Sequence, residues 1–479
     1  MTPYSASEIA LALPEIYLTG AICVVLLFDL FFAVKNPGRT ATLTLLVLVV
    51  GAVITWQQGI TGRSVIFHGL YVADPLSSLL KMAAFLFAAL ALFYSRNYLA
   101  RRGLQKGEFY VLSLTALLGV LVMASASNLL TIYVGVELLS LSLYAIVAFD
   151  RDSGIAAEAA MKYFVLGAIA SGTLLYGMSV MYGMTGTLDL GALSSRLGDD
   201  PGLGFILAAS FVVVAIAFKF GAVPFHMWVP DVYQGAPASS AMLVATVPKL
   251  ASFAMAFRFL SEGLAGQTAD WTQMLAILAV LSVVAGNLIA IAQTSLLRML
   301  AYSAIANVGF ILLGFAAGTG AGYSAALYYT LAYVLMTVAA FAVILLASRS
   351  GCESDQLEHF KGLHARDPLL AGVMAAVMFS TAGVPPFVGF WAKLNIIEAL
   401  LGSGQLVLAL IAVLASVVGA FYYLRVIKLM YFEAPAEQPP MGKARGMRLV
   451  LAINALAILA LGIMPEQLLA LCRAVIPGG

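Results

Sequence analysis

The chain has 479 residues, of which 62% are hydrophobic and only 10% charged, with a formal net charge of +2 and a mean hydropathy of +1.00. That balance excludes a water-soluble globular domain and suggests no nucleic-acid partner; it fits an all-α, polytopic helical bundle in a lipid bilayer. Cys23, Cys352 and Cys472 lie in separate segments without C-x-x-C spacing, so neither a disulfide framework nor an iron–sulfur or zinc site is indicated, and inert thiols are expected.

Apolar windows of about 20 residues, enough to span a ~30 Å hydrocarbon core, mark fourteen predicted spans. The first, 10–33, has Glu8 and Glu15 near its start and no basic flank. It is expected to remain as a span rather than be removed as a signal peptide. Spans 41–57 and 74–95 complete an N-terminal segment, 1–108. Lys81, in the third span, lies seven residues after Asp74 on the same helical face and reads equally as an anchor or a functional group.

Spans 109–126, 128–149, 157–182, 204–221 and 238–260 make a first five-helix unit, 109–260. Glu137, in TIYVGVELLSLSLYAI, is the only acid in the middle of span five; it must be neutral or have a lysine partner. Lys162 follows Glu158 by four residues near one end of span six, which fits a boundary salt bridge or the entry to a path. Lys219 closes the first half of span seven, where free carbonyls support an ammonium. His226 follows the break and precedes Pro230-Asp231, as a proton relay or an ordinary hydrogen-bonding residue. Lys249, in ATVPKLASF, is near the centre of span eight, too deep to reach the interface.

A second unit, 272–431, holds spans 272–292, 297–317, 322–348, the interrupted 368–402, and 404–431. GTGAG at 318–322 sits between two apolar helices with no strand before it, and is a turn rather than a nucleotide loop. Lys393 falls just after the interruption, where the start of a new half-helix disfavours positive charge. The last span, 447–472, belongs to a C-terminal segment, 432–479.

Two patterns organise these elements. GAVPFHMW (221–228) and GVPPFVGFW (383–391) interrupt spans seven and twelve. An odd offset of five spans gives the two units opposite orientations, the inverted repeat in which discontinuous helices build a mid-membrane path; the alternative is a chance match between ordinary proline kinks. Of the 25 basic residues, sixteen, among them Lys35, Arg349 and Lys443, fall in connections on one side of the predicted topology. Four, Arg63, Arg196, Arg258 and Arg473, fall on the other, and five lysines lie inside spans. The positive-inside tendency then places both termini outside.

A charge at bilayer depth costs roughly 2.5–3.5 kcal/mol on insertion scales, so repeated buried charge points to an ion or proton pathway more than to a structural ion pair. A lysine that titrates near pH 7 must lose ~3 pKa units, which burial and a movable carboxylate supply. No paired-histidine haem spacing and no Walker sequence is present, so no electron chemistry is expected on this chain.

The runs MKYFVLGAIASGTLLYG (161–177), FKFGAVPFHMWVPDVYQGAP (218–237), LRMLAYSAIANVGF (297–310) and GVPPFVGFWAKL (383–394) resemble the antiporter-like subunits of proton-pumping NADH:quinone oxidoreductase, respiratory complex I, and among them the subunit N family. The resemblance implies fourteen helices with two inverted five-helix units. It matches Glu137 and Lys219 to a charge pair, Lys249 to the central lysine, and Lys393 to the lysine of span twelve. It matches Lys162 to a basic position in span six and His226 to the histidine after the first break. It implies no cofactor on this chain, with NAD, FMN, iron–sulfur clusters and quinone on partner subunits. The partners implied are the antiporter-like subunit M and small subunits such as K and J. The setting implied is a bacterial inner (plasma) membrane, with both termini periplasmic. Subunit L carries a long lateral helix, and subunit M typically has glutamate where Lys393 stands. Asn307 departs from the pattern, standing where related subunits often have histidine in the turn before span ten. A multi-subunit sodium/proton antiporter and a non-conducting membrane spacer are the alternatives.

Overall fold

The computed structural model describes residues 5–33, 36–197, 202–348, 355–434 and 445–476; Cys352, Lys35, Arg349 and Lys443 lie outside them. Thirteen of the described helices are long and apolar enough to cross a membrane, from Leu13–Ala33 to Arg445–Ile463. Residues 368–402 form two shorter helices, Pro368–Ala382 and Val388–Gly402, around a break. The chain divides into two compact units, one of Met1–Leu92, Leu104–Lys219 and Val247–Met274, the other of Phe93–Gly103, Phe220–Thr246 and Leu275–Gly479. Two of the divisions fall at the break after Lys219 and at Thr246.

In the first unit, helices Gly107–Ala124 and Leu129–Val147 pack closely because glycines line the crossing. A Cβ on Gly119 would sit 2.6 Å from the Leu139 nitrogen, so any larger residue forces the backbones apart. Asn128 caps the second of these helices through the Leu130 amide (2.9 Å), and Ser153 caps Gly154–Thr185 through Ala156 (3.2 Å), which satisfies amides that the bilayer could not. A two-stranded hairpin, Ser64–Ile66 with Tyr71–Ala73, closes one end. At three residues per strand it is too short to stand out among windows of about 20 residues.

That end is held by ion pairs between residues far apart in sequence. Arg258 is fully buried and donates to both Asp74 oxygens at 2.7 Å, to Glu262 at 2.8 Å, and to the Ala124 carbonyl at 3.0 Å. Arg63 joins Glu262 at 2.9 Å. Arg258 is therefore not in an outer connection: the helix continues as a π-turn through Phe257–Gly263, and two carboxylates compensate its burial. Lys81 is likewise not paired with Asp74. It binds Glu15 (2.7 Å) and the Tyr71 hydroxyl (2.7 Å), because Arg258 already occupies Asp74. The Asp74 carboxyl is pushed up by burial, yet Arg258 and Ser77 outweigh that and hold it below its ordinary value.

In the second unit, Gly320–Ala347 is almost wholly buried and Leu296–Ala316 nearly so. Gly318 (φ +66°) and the Thr319 cap on the Gly322 amide (3.1 Å) make GTGAG a helix-starting turn. Arg101 donates to the Leu345 carbonyl (2.9 Å), and Arg425 to the Ile291 and Gln293 carbonyls (2.8 and 2.7 Å). Both occupy the carbonyl ends of neighbouring helices, where cations are favoured. Asp367 caps Pro368–Ala382 and binds Arg448 through both oxygens (2.6 and 2.7 Å). The last predicted span divides at Pro465 into Arg445–Ile463 and a helix Glu466–Val475 that buries only Leu469, Cys472 and Val475. Predicted span eight, too, is interrupted: Thr246 leaves helical geometry (φ −113°, ψ −85°) between Ala238–Ala245 and Val247–Ala256.

Candidate functional site

In the first unit Glu137 occupies the third turn of Leu129–Val147, half-buried. Ser171, from the facing helix, donates to its carboxylate. Lys219 is the penultimate residue of Gly202–Phe220, and its ammonium donates to the Ser140 hydroxyl, which in turn donates to the Val136 carbonyl. Ser140 lies one turn beyond Glu137 on the same helix, so acid and amine meet the same stretch of backbone. They close no direct ion pair among the described residues; each is held by a hydroxyl. Such contacts persist whether the amine is charged or neutral, because a hydroxyl both donates and accepts.

Lys249 is 1% exposed, three residues past the Thr246 break, in a helix whose ten residues are all buried. Lys162 is placed differently. Its side chain is 45% exposed and pairs with Glu158 at 2.8 Å, on the outward face of a helix that buries only one stripe. The i, i+4 pairing is as the spacing indicates, but Lys162 does not turn inward with Lys219 and Lys249.

In the second unit His226 is half-buried in the break after Phe220, its carbonyl taking the Val229 amide at 2.9 Å and its ring 6.4 Å from that of Tyr302. Arg298, one turn before Tyr302, binds Asp231 (3.0 Å) and Gln234 (3.1 Å), which ties the Pro230-Asp231 helix to the start of Leu296–Ala316. Arg298 read as a loop cation in the sequence, so this link was missed; its only signal was an aspartate inside an otherwise apolar motif.

Lys393, 8% exposed, corrects the expectation of an unfavourable half-helix start. Its side chain turns back so that Nζ donates to the Ala382 carbonyl at 3.0 Å, at the negative end of the preceding half-helix, and stands 5.1 Å from the centre of the Phe310 ring. Gly383 makes room: it has φ +90°, and a Cβ there would sit 3.0 Å from the Lys393 Cδ. Asn307 is in the middle of Leu296–Ala316, not in the turn before it. Its amide joins Ser303, Tyr423 and Tyr329 in a buried network.

A helical membrane bundle that sets a half-buried carboxylate and three lysines on separate helices, the lysines close to chain breaks, defines the class of antiporter-like membrane subunits. Residues 126–419 match the family described as NADH:quinone oxidoreductase/Mrp antiporter, transmembrane. NADH-quinone oxidoreductase subunit N of Thiobacillus denitrificans is 51% identical over 472 residues, 98% of each chain. A chain of respiratory complex I from Thermus thermophilus superposes with a TM-score of 0.83 at 33% identity, covering 97% of this chain and 100% of its own. A chain of the Mrp complex from Dietzia sp. DQ12-45-1b shares the fold, with a TM-score of 0.86 at 21% identity over 98% and 97% of the two chains. The chain belongs to the NADH:quinone oxidoreductase/Mrp antiporter family and, within it, to the subunit N group.

Proposed function

We propose that this chain carries protons across a bacterial inner membrane as a subunit of NADH:quinone oxidoreductase, driven by quinone reduction on other subunits. The observation that carries the reading is that Glu137 and Lys219 in one unit are each held by a serine hydroxyl, Ser171 and Ser140, with Lys393 on a helix-end carbonyl in the other. Each amine has a polar partner without a direct carboxylate, so its charge depends on its neighbours. Two charges ~8 Å apart at an effective dielectric constant of ~20 interact by about 2 kcal/mol. A proton gained at one lysine therefore disfavours charge on the next, and charge passes along Glu137, Lys219, Lys249 and Lys393 without a large helix movement. Lys162, on the outward face, serves as the entry position. His226 serves as a relay beside Tyr302.

The same reading makes 368–402 a fourteenth, discontinuous span, with 109–260 and 272–431 as inverted five-helix units between an N-terminal three-helix segment, 1–108, and a C-terminal one, 432–479. Both termini then face the periplasm. Subunit M and small subunits such as K and J are the neighbours, and NAD, FMN, iron–sulfur clusters and quinone belong to partner chains. The test is a native gel of gently solubilised membranes carrying a tagged copy, stained for NADH oxidation. Migration with a large NADH-oxidising band is the expected result. Migration only with small membrane proteins would favour a multi-subunit sodium/proton antiporter, which the shared fold of the Mrp chain also accommodates.

A further inference from the structure

An open cleft of ≈ 320 Å³ lies within the second unit, about twenty times the ~15 Å³ that one water needs. Its walls are helix faces: Ser324 and Ala325 from Gly320–Ala347, Asn395, Glu398 and Ala399 from Val388–Gly402, and Arg473 from Glu466–Val475. The wall positions held by alanine and serine are small, which leaves the space between the helices open. Gly320–Ala347 has 28 residues, about 42 Å at 1.5 Å per residue, against ~30 Å of hydrocarbon and ~40–45 Å with the headgroups. The opening turns of this helix, and the cleft beside them, therefore stand at headgroup level. Glu466–Val475 fits the same depth: it buries only Leu469, Cys472 and Val475 and leaves Glu466, Gln467 and Arg473 exposed, the pattern of an interfacial helix.

The polar groups of the cleft suit a zwitterion. Glu398 is exposed and has no hydrogen-bond or ionic partner among the described residues. The Asn395 amide nitrogen donates to the Trp391 carbonyl (2.6 Å), which leaves its oxygen to accept. The Ser324 hydroxyl donates to the Gly320 carbonyl (2.9 Å), which leaves its lone pairs to accept. The lining thus offers three acceptors, one of them charged, and a primary ammonium brings three N–H donors. Arg473 is the one cation of the lining. Its contact with Glu466 is long (3.3 Å), between side chains 50% and 72% exposed, and an exposed pair of that kind is weak enough for the guanidinium to turn to a phosphate.

We propose that this cleft binds the headgroup of a primary-ammonium phospholipid, of the phosphatidylethanolamine class, with the ammonium on Glu398, Asn395 and Ser324 and the phosphate on Arg473. A choline headgroup has no N–H for the three acceptors. A glycerol headgroup brings no cation for Glu398 and leaves the lipid with a net negative charge beside it. The bound lipid bridges Glu398, on the half-helix that carries Lys393, to the terminal helix, and so holds that half-helix at the end away from the break. The site is independent of the route that protons take.

The test uses the assembled complex, purified in detergent and freed of loosely held lipid, for the parent, Glu398→Gln and Arg473→Ala. The melting temperature is followed as phosphatidylethanolamine, phosphatidylcholine or phosphatidylglycerol is added. In the parent, phosphatidylethanolamine is expected to stabilise at about tenfold lower concentration than the other two, the effect of one charge-assisted hydrogen bond. Glu398→Gln is expected to lose that preference, and Arg473→Ala to weaken all three lipids alike, because it removes the phosphate partner they share. A high-resolution map of the complex in phosphatidylethanolamine nanodiscs should show headgroup density between Glu398 and Arg473. An equal response to phosphatidylcholine, or an unchanged preference in Glu398→Gln, overturns the recognition of the ammonium. A map in which a segment of a neighbouring subunit, or ordered water alone, fills the cleft overturns the site. Should Glu398→Gln fail to assemble, Asn395→Leu removes a second acceptor and must blunt the same preference; an unchanged preference there overturns the proposal.

Discussion

Ser140 is the side chain through which Lys219 touches the helix of Glu137. Replacing it with alanine leaves a buried amine one partner short, which costs about 1–3 kcal/mol for the charged form. Ser140→Ala is therefore expected to lower NADH-driven proton uptake while assembly persists; unchanged uptake would show that the hydroxyl is only structural. Asp74 argues in the same way for stability. Asp74→Asn strips a neutralising carboxylate from fully buried Arg258, and breaking such a pair costs about 3–5 kcal/mol. The Asp74 carboxyl lies below its ordinary value in the folded chain, so its contribution is complete above the ordinary range near pH ~4 and is lost only as pH falls through the lower folded value. The variant should melt well below the parent at pH 7, and the gap should narrow under strong acid; equal melting at pH 7 would sink the assignment. The lysines inside spans were legible in the sequence because one charge interrupts an apolar window. Arg258 was not, since a cation near a span end looks like a loop residue, and its partner Asp74 lies 184 positions away. Ser140 and Ser171 were invisible for another reason: serine is ordinary in membrane helices, and only packing shows which hydroxyl meets a charge.

The broken helices carry the next level. Between Pro368–Ala382 and Val388–Gly402 the helix is interrupted, which leaves the Ala382 carbonyl for Lys393. Gly383 is indispensable there on two counts, its left-handed φ and the close Lys393 side chain. A left-handed non-glycine residue costs roughly 1–2 kcal/mol, and the alanine methyl also presses on the Lys393 stem. Gly383→Ala should therefore impair pumping more than Gly372→Ala, at a position on the same helix with open space around it. Equal proton uptake by the two variants would deny the break a functional role. Glycine and proline announced this break and the one after Lys219. Pro248, with no glycine beside it, is the one mark of the break at Thr246, where the helix gives way two residues earlier because proline removes a backbone donor and crowds the preceding turn. A window average across 238–260 is blind to that, and equally to the division at Pro465, where apolar residues continue on both sides.

At the scale of the whole molecule, thirteen long apolar helices lie, in order, where hydropathy marks spans, because each apolar stretch must pair its own backbone groups within a helix. The assignment of segments to compact units did not, since the chain leaves one unit at Phe220 and returns at Val247, a path that hydropathy cannot register. Orientation is the remaining whole-molecule quantity, and the structure sharpens its basis. With Arg258 moved from an outer connection into a helix, the sixteen basic residues of one side face only Arg63, Arg196 and Arg473 on the other. Retention of that charge in the cytoplasm sets the topology, and a tag on the C-terminus is expected to be cleaved by protease added to spheroplasts and protected in inverted vesicles. Cleavage only in inverted vesicles would reverse the orientation of every span at once. It would also exchange the side at which the proposed entry, Lys162, stands, so the direction of the proposed path would have to be turned around with it.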